Sequence, residues 1–503
     1  MSLRHRTSPD EASNECGCRR RFLFDCGLGF GSLALASLLA TDATGTTADQ
    51  ERESDAHERS PLHHAPRAKS VIWVFLSGGY SHVETFDPKP ALNTYAGMTF
   101  DKTPFENPVD SPLHKKRFRS VAAEEINVRD VYPIIYPMQV GFRRHGESGI
   151  EMTDWWPHLA KQIDRLCFVR NCWTTDNDHA AENQFHTGRH RLDETQPSIG
   201  SWADYGLGSL NDNLPKYVVL GGPTRADTRA SIDAYYLGPR HTGVPLALDP
   251  NAPLPFGVRP AGRSESAQRQ EFDLIERLGR IAQRQTPEDA ELEARLRAYE
   301  LAFRMQSAVP EGIDLASETA ETRALYGLDR PETETAGNRL LAARRLVERG
   351  VRFVQVYPSG YGAWDSHQKL KENHEKLCTS VDRPIAGLIE DLSRRGLLDE
   401  TLVVFCTEFG RTPGLEQRSG GVDGRDHHPN GFTIWLAGGG TKKGHVHGET
   451  DELGYHALGD GHYVTDLHAT VLHLLGLDNR RLVLPDRRRL EIDHGRVIDE
   501  ILA

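Results

Sequence analysis

Apolar residues in this chain come in short unbroken runs more often than in alternation. Residues 71–76 read Val-Ile-Trp-Val-Phe-Leu and are closed by Ser77, Gly78 and Gly79. A run of that length with no polar interruption predicts a strand covered on both faces, ending in a glycine turn. Similar runs stand at 166–169, 217–220, 351–356, 402–406 and 432–436. Helical patterns separate most of them, as parallel crossovers require. The order predicts an α/β domain with a central, mostly parallel sheet and helices on both faces.

The helices are punctuated. Thr286, Pro287, Glu288 and Asp289 place an N-cap, a first-turn proline and acids ahead of a charged amphipathic stretch reaching about residue 306. A second helix is expected over 335–348, stopping at Gly350, and a third over 368–395, ending at Gly396. Residues 221–263 are rich in Pro, Gly and Arg and lack periodicity, so they read as an irregular excursion overhanging the sheet. No internal repeat is visible.

At 503 residues, 38% apolar and 26% charged, the chain can bury a large core. Its net charge of −12 excludes a phosphate-neutralising grip on nucleic acid. Small-molecule, glycan or protein partners fit better, and the oligomeric state cannot be read. Near the start, Arg19, Arg20 and Arg21 precede Phe22 and Leu23, and a Gly-rich, weakly apolar run follows from Cys26 to Ala40. This resembles a twin-arginine export signal, and the run is too short to anchor the chain across a bilayer. The expected organisation is a signal at 1–43, a polar linker at 44–68, and one α/β domain at 69–503 with an irregular or helical excursion at about 221–330. The export route implies a periplasmic or extracellular location.

Of the seven cysteines, Cys16, Cys18 and Cys26 lie in the signal-like segment. Cys167 and Cys172 can pair only if the backbone turns between them, and Cys378 and Cys406 read as buried. A thiolate zinc site is therefore not expected.

Chemistry concentrates in three clusters beside the later apolar runs. Asp365 and His367 follow the run at 351–356 and a Gly-rich loop, where both side chains can reach one cation. Glu408 emerges directly after the run at 402–406. A carboxylate buried there must be paired or liganded; it reads as a metal ligand or general base, with Arg411 either its ion-pair partner or a holder of an anionic oxygen. Arg425, Asp426, His427 and His428 precede the run at 432–436, and one of the two imidazoles is expected to complete a metal shell. In the first half, Ser81 beside His82 is a weak nucleophile candidate, while Glu84 and Asp87 are candidate ligands or caps. His179 follows the run at 166–169, near the start of an expected helix.

Together these motifs resemble the alkaline phosphatase and sulfatase superfamily, and more closely the exported family called domain of unknown function 1501. The segments carrying the resemblance include residues 75–79 with Thr85, Phe86, Asp87, Pro88, Lys89 and Pro90, then 364–367, 408–413, 424–428 and 466–472. The resemblance implies an alkaline-phosphatase-like fold, a divalent metal and hydrolysis of sulfate or phosphate esters of small molecules or glycans. It implies Asp365, His367, Glu408 and either His427 or His428 as ligands. Zinc would suit the imidazoles, and calcium or magnesium a more acidic shell. His179 and Arg411 would stabilise the anionic transition state.

The chain departs from the superfamily pattern in three places. Ser77 and Gly78 stand where the first strand should deliver an acid, so Glu84 or Asp87 would have to substitute. Phe409 replaces an imidazole after Glu408. Asp178 and His179 stand where the nucleophile should be, which leaves His179 itself, Thr174 or Thr175, or a metal-activated water. The rival expectation is an exported, non-catalytic binding or assembly protein on the same scaffold. Asp466 reads as a helix cap.

Overall fold

The computed structural model describes residues 62–113, 134–190, 192–222, 226–249, 264–285, 304–305, 308–417, 423–484 and 487–503. The chain divides into a smaller unit, Met1–Thr46 with Leu254–Gln306, and a larger one, Thr47–Pro253 with Ser307–Ala503. The export-signal segment, most of the linker and most of the helix expected at 286–306 lie outside the described residues.

In chain order the elements are β1 (Ser70–Phe75), α1 (Pro90–Thr94), β2 (Phe142–His145), β3 (Ile150–Thr153), β4 (Leu166–Trp173), α2 (Ala181–Thr187), α3 (Ile199–Leu207), β5 (Tyr217–Leu220) and β6 (Val244–Leu246). Then come α4 (Glu265–Gln285), α5 (Ala320–Leu325), α6 (Pro331–Glu348), β7 (Phe353–Val356), α7 (Leu370–Arg394), β8 (Thr401–Cys406), β9 (Gly410–Arg411), β10 (His427–His428), β11 (Phe432–Ala437), β12 (His445–His447), β13 (His462–Tyr463) and α8 (Val464–Leu474). Helix α4 belongs to the smaller unit, where Arg269 and Asp273 pair one turn apart at 3.2 Å. All other elements belong to the larger unit.

The main sheet runs β12-β4-β11-β8-β1-β7-β5-β6, with β13 also paired to β4. Strand β1 is parallel to both neighbours, Val71 facing Phe353 on one side and Leu402 on the other. Strand β11 is antiparallel to β4 and β8, so the sheet is mixed but mostly parallel. That exception has a simple origin. Among the described residues between β8 and β11 the chain makes the small β9–β10 pair and no crossover helix, and β11 returns in the opposite direction.

Alternation along β1 sends its residues to two faces. Val71, Trp73 and Phe75 join a core with Phe185 of α2, Ile199 and Trp202 of α3, and Val464, Leu467 and Val471 of α8. Val74 lies level with Phe405, which stacks on Trp435 at 4.8 Å and meets Tyr80, Phe86 and Trp156 edge-on or tilted. Both sides of β1 are thus sealed, as its unbroken apolar run requires.

Strand β4 continues four residues past the predicted run, through Arg170, Asn171 and Cys172 to Trp173. Cys167 and Cys172 therefore sit on one extended strand and stay unpaired, and Cys378 and Cys406 are likewise free and buried. In its described residues the excursion after β5 shows short 3-10 turns plus one edge strand, β6, that has no periodic signal. No helix among the described residues is long and apolar enough to cross a membrane.

Candidate metal centre

The parallel strands β4, β1, β7 and β8 point their carboxyl ends the same way, and the loops leaving those ends carry the chemistry. After β7, the loop turns through Gly362, whose carbonyl accepts the Asp365 N–H at 3.0 Å, and it is tied to β1 where Trp364 N–H donates to Ser77 O at 3.1 Å. Gly78 makes that approach possible. Its φ is +116°, and a β-carbon there would lie 2.6 Å from Asp365 N and 2.7 Å from Trp364 N. Ser77 and Gly78 thus take the first-strand position expected of an acid and supply a close backbone contact instead. After β8, Glu408 is fully buried and accepts from Gly78 N–H at 2.7 Å and from the Thr407 hydroxyl at 3.0 Å. The β9–β10 hairpin sets Arg411 opposite His427.

Asp365 is the centre of the arrangement. Its Oδ2 lies 3.0 Å from His179 Nε2, and its Oδ1 lies 3.0 Å from the Nε2 atoms of both His367 and His427. Those last two nitrogens are 3.1 Å apart. Asp365, His179, His367 and His427 therefore bring three imidazoles and a carboxylate to one point, delivered by the segments after β4 and β7 and by the β10 strand.

The opposite nitrogen of each imidazole is held by an acceptor. His179 Nδ1 is 3.4 Å from Glu408 Oε1, His367 Nδ1 is 2.5 Å from Glu416 Oε2, and His427 Nδ1 is 2.8 Å from the Asn177 carbonyl. An acceptor at Nδ1 selects the Nδ1–H tautomer and leaves the Nε2 lone pair facing inward. Three such lone pairs around an ionised carboxylate repel one another unless a cation or protons lie among them. The donor set is the nitrogen-and-oxygen set that zinc and similar divalent metals take. His179, Asp365 and His427 form one candidate ligand group, and His367, Asp426 and His427 form another. Both groups contain His427.

The electrostatics express the same demand. Burial alone would discharge the His179 imidazolium, but its bonds to Asp365 and Glu408 prevail and raise it to about 9. Burial acts the same way on His367, where Asp365 and Glu416 again prevail and move it upward. His427, more deeply buried and beside Arg411, falls to about 3 despite its bond to Asp365. Burial pushes Asp365 up, yet its three imidazole partners and Arg411 carry it far below the ordinary carboxylate range.

Other expected residues are placed differently. The Arg411 guanidinium is fully buried and donates to the carbonyls of Gly78, Gly79, Trp364 and Arg425, and to Asp365 Oδ1 at 2.8 Å. It is a clamp on the loops around Asp365, and its donors are directed at main chain where an anionic oxygen was expected. Glu84 lies outside the convergence in a buried ion pair with Arg425 at 2.7 Å, and also accepts from Ser81 Oγ. That pairing explains Arg425, which ties the segment before His427 to β1's following loop. Asp87 pairs with Lys89 at 3.1 Å and accepts from Thr450. His428, one residue along β10 from His427, bonds the Tyr455 carbonyl through Nε2. Ser81 is turned to Glu84 while His82 bonds the Gly454 carbonyl at 2.7 Å, so the two do not form a nucleophile–base pair. Thr175 accepts from Gln184 at 2.6 Å.

Glu416 and Asp426 are positions beside the candidate centre that the sequence motifs did not single out as ligands. Asp426 lies within a recognised cluster, with Oδ1 3.6 Å from His367 Nδ1. Glu416 lies in no cluster, and its contact spans 49 positions of sequence. Beneath the centre, Glu182 accepts from Ser77 Oγ at 2.7 Å and from Tyr357 OH at 3.2 Å; burial and the neighbouring Glu408 raise it to about 8. Asp466 caps no helix end. Its Oδ1 accepts the Arg496 N–H at 2.7 Å, and its Oδ2 lies 3.3 Å from His462 Nδ1.

The family model described as Protein of unknown function (DUF1501) matches residues 68–502. No curated protein sequence matches the chain. Solved structures similar to it include the PsFucS1 sulfatase from Pseudoalteromonas sp., at 12% identity and a TM-score of 0.34, covering 91% of this chain and 76% of that one. The phosphonate monoester hydrolase SpPMH from Silicibacter pomeroyi matches at 12% identity and TM-score 0.34, covering 69% and 71% respectively. The alkaline phosphatase from the Antarctic bacterium TAB5 matches at 10% identity and TM-score 0.30, covering 81% and 98%.

Proposed function

The chain belongs to the DUF1501 family, and we propose that this member is an exported, divalent-metal-dependent hydrolase of phosphate or sulfate esters, acting on small-molecule or glycan substrates. The observation that carries the reading is the inward convergence of His179, His367 and His427 on Asp365, each imidazole braced from behind by Glu408, Glu416 or the Asn177 carbonyl. A bound cation would supply Lewis acidity to the ester oxygen and the attacking water.

The chain's own residues do the rest. Glu408, anchored by Gly78 N–H, fixes the orientation of His179. Arg411 holds Asp365 in place and balances its charge. The side chains of His179, His367 and Asp365 are each about a quarter exposed, at 22%, 23% and 25%, while Glu408 and Glu416 behind them are at 0%. Substrate therefore meets the imidazoles and Asp365, and the bracing carboxylates work through them. With Ser81 turned to Glu84, and His179 turned to Asp365, attack by water without a covalent enzyme intermediate is the route this arrangement favours.

The test is metal analysis of purified full-length protein, together with turnover of aryl phosphates and aryl sulfates, in the wild type and in Asp365→Ala. Bound metal and turnover in the wild type, both lost in the variant, support the reading. Metal binding without turnover supports the non-catalytic binding protein instead. Wild-type protein that takes up no divalent metal on titration, and turns over neither ester, sinks the hydrolase reading.

A further inference from the structure

A second group of metal-ligating side chains lies at the edge of the sheet, on elements that contribute nothing to the Asp365 centre. His447 is the last residue of edge strand β12, and His462 is the first of β13; both strands run parallel to β4, at the levels of Val169 and Cys172. The two imidazoles present Nε2 to Nε2 at 2.8 Å, with ring centroids 5.0 Å apart. Glu500, in the 3-10 turn Asp499–Ile501, brings a carboxylate oxygen within 4.8 Å of a ring nitrogen of each.

From these positions we propose a second divalent-cation site, formed by His447, His462 and Glu500, that takes zinc or a similar transition metal and fastens the carboxyl-terminal segment to the sheet edge. His462 is buried, and its Nδ1 lies 3.3 Å from Asp466 Oδ2 in the first turn of α8. That bond assigns the proton to Nδ1 and leaves the Nε2 lone pair aimed at His447, the carboxylate–imidazole pairing that orients metal ligands. Asp466 is in turn fixed by the Arg496 N–H at 2.7 Å.

Glu500 is carried into reach by main-chain contacts. Lys442 N–H donates to Ile501 O at 2.8 Å, Lys442 Nζ donates to Glu500 O at 2.7 Å, and Ala503 N–H donates to Gly440 O at 2.9 Å. Three points of the chain, at 447, 462 and 500, thus meet through separate supports. Two imidazoles and one carboxylate leave coordination positions for water, and such a donor set selects zinc-like ions over calcium or magnesium. Glu500 and Asp466 together balance a charge of +2.

The experiment is titration of chelator-stripped, full-length protein with cobalt(II), read as equivalents bound and as visible absorption, in the wild type, His447→Ala, Glu500→Gln and Asp365→Ala. The expected result is two equivalents in the wild type and one in His447→Ala. Asp365→Ala should keep the equivalent that His447→Ala loses, and Glu500→Gln should bind it about tenfold more weakly. An Asp365→Ala protein that keeps one equivalent while His447→Ala binds none supports this site and sinks the central one. Folded His447→Ala protein, by circular dichroism, that binds as many equivalents as the wild type overturns the proposal. If that variant does not fold, Glu500→Gln with unchanged cobalt affinity and spectrum overturns it, because Glu500 is exposed and its removal leaves the packing intact.

Discussion

Arg411 Nη2 donates to Asp365 Oδ1 at 2.8 Å from a guanidinium that has no exposed surface. Its remaining bonds go to the carbonyls of Gly78, Gly79, Trp364 and Arg425, so one side chain joins the loops after β1 and β7 with the segment leading into β10. Removing it strands an ionised carboxylate and several buried carbonyls. Arg411→Met is expected to lower the unfolding free energy by roughly 3–5 kcal/mol, measured by urea denaturation of the metal-free protein. Arg411→Lys should recover only part of that, since an ammonium cannot reproduce the planar fork. A loss below ~1 kcal/mol would show that the clamp has little hold on the fold.

Glu416 touches the centre through His367, which it meets at 2.5 Å. It is a positioning residue, and Glu416→Gln keeps its shape while weakening the acceptor. Metal affinity is expected to fall about 10- to 100-fold, by competition against a chelator of known affinity, with the circular dichroism spectrum unchanged. Equal affinity in the variant would place His367 outside the metal shell.

Gly78 can be tested with a single carbon. With φ at +116° and the Asp365 and Trp364 nitrogens at 2.6 and 2.7 Å from any β-carbon, Gly78→Ala must push the Asp365 loop outward. It also disturbs the N–H that orients Glu408. Loss of metal binding is expected in protein that remains folded, whereas Gly97→Ala, at a glycine with φ at +77° and open space around it, serves as the control for a β-carbon at positive φ without the clash. Undiminished binding in Gly78→Ala would mean that the close approach is not needed for the centre.

Some of this was legible in sequence and some was not, for physical reasons. Strands β1, β5, β8 and β11 are buried at every position, so each left an unbroken apolar run. Strand β12 is an edge strand of partly exposed residues, two of them histidines, and left no such run. The motifs named His179, Asp365, His367, Glu408 and His427, because polar residues at strand ends need partners. The choice between His427 and His428 was not legible. Neighbouring residues of a strand point oppositely, and only the pairing of His427 with Arg411 and of His428 with Gly410 sets which one faces Asp365. Glu416 was invisible because its partner is distant in sequence.

His186 offers a test of the core that does not depend on the metal. Its Nδ1 bonds the Glu182 carbonyl at 2.8 Å, while Nε2 is 3.2 Å from Trp73 Nε1 and 3.1 Å from Gln355 Nε2, both N–H donors. A ring whose Nε2 already accepts from two donors has no place for a second proton, and burial lowers its pKa from 6.5 to about 3, the Glu182 carbonyl opposing only in part. Between those values the unfolded chain takes up a proton that the native state refuses, so stability from this group is complete above about pH 7 and is lost as the pH falls. Two buried carboxyls act in the opposite sense over part of the range: burial raises Glu182 to about 8 and Asp382 to about 7. The His186 contribution is therefore read as a difference. The stability advantage of the wild type over His186→Asn is expected to shrink by about 2 kcal/mol between pH 6.5 and 4.5, in denaturant titrations at both values. Imidazole chemical shifts should show the native ring neutral throughout that range. A ring that titrates near 6.5, or an advantage independent of pH, would mean that the Trp73–His186–Gln355 network does not hold the neutral form.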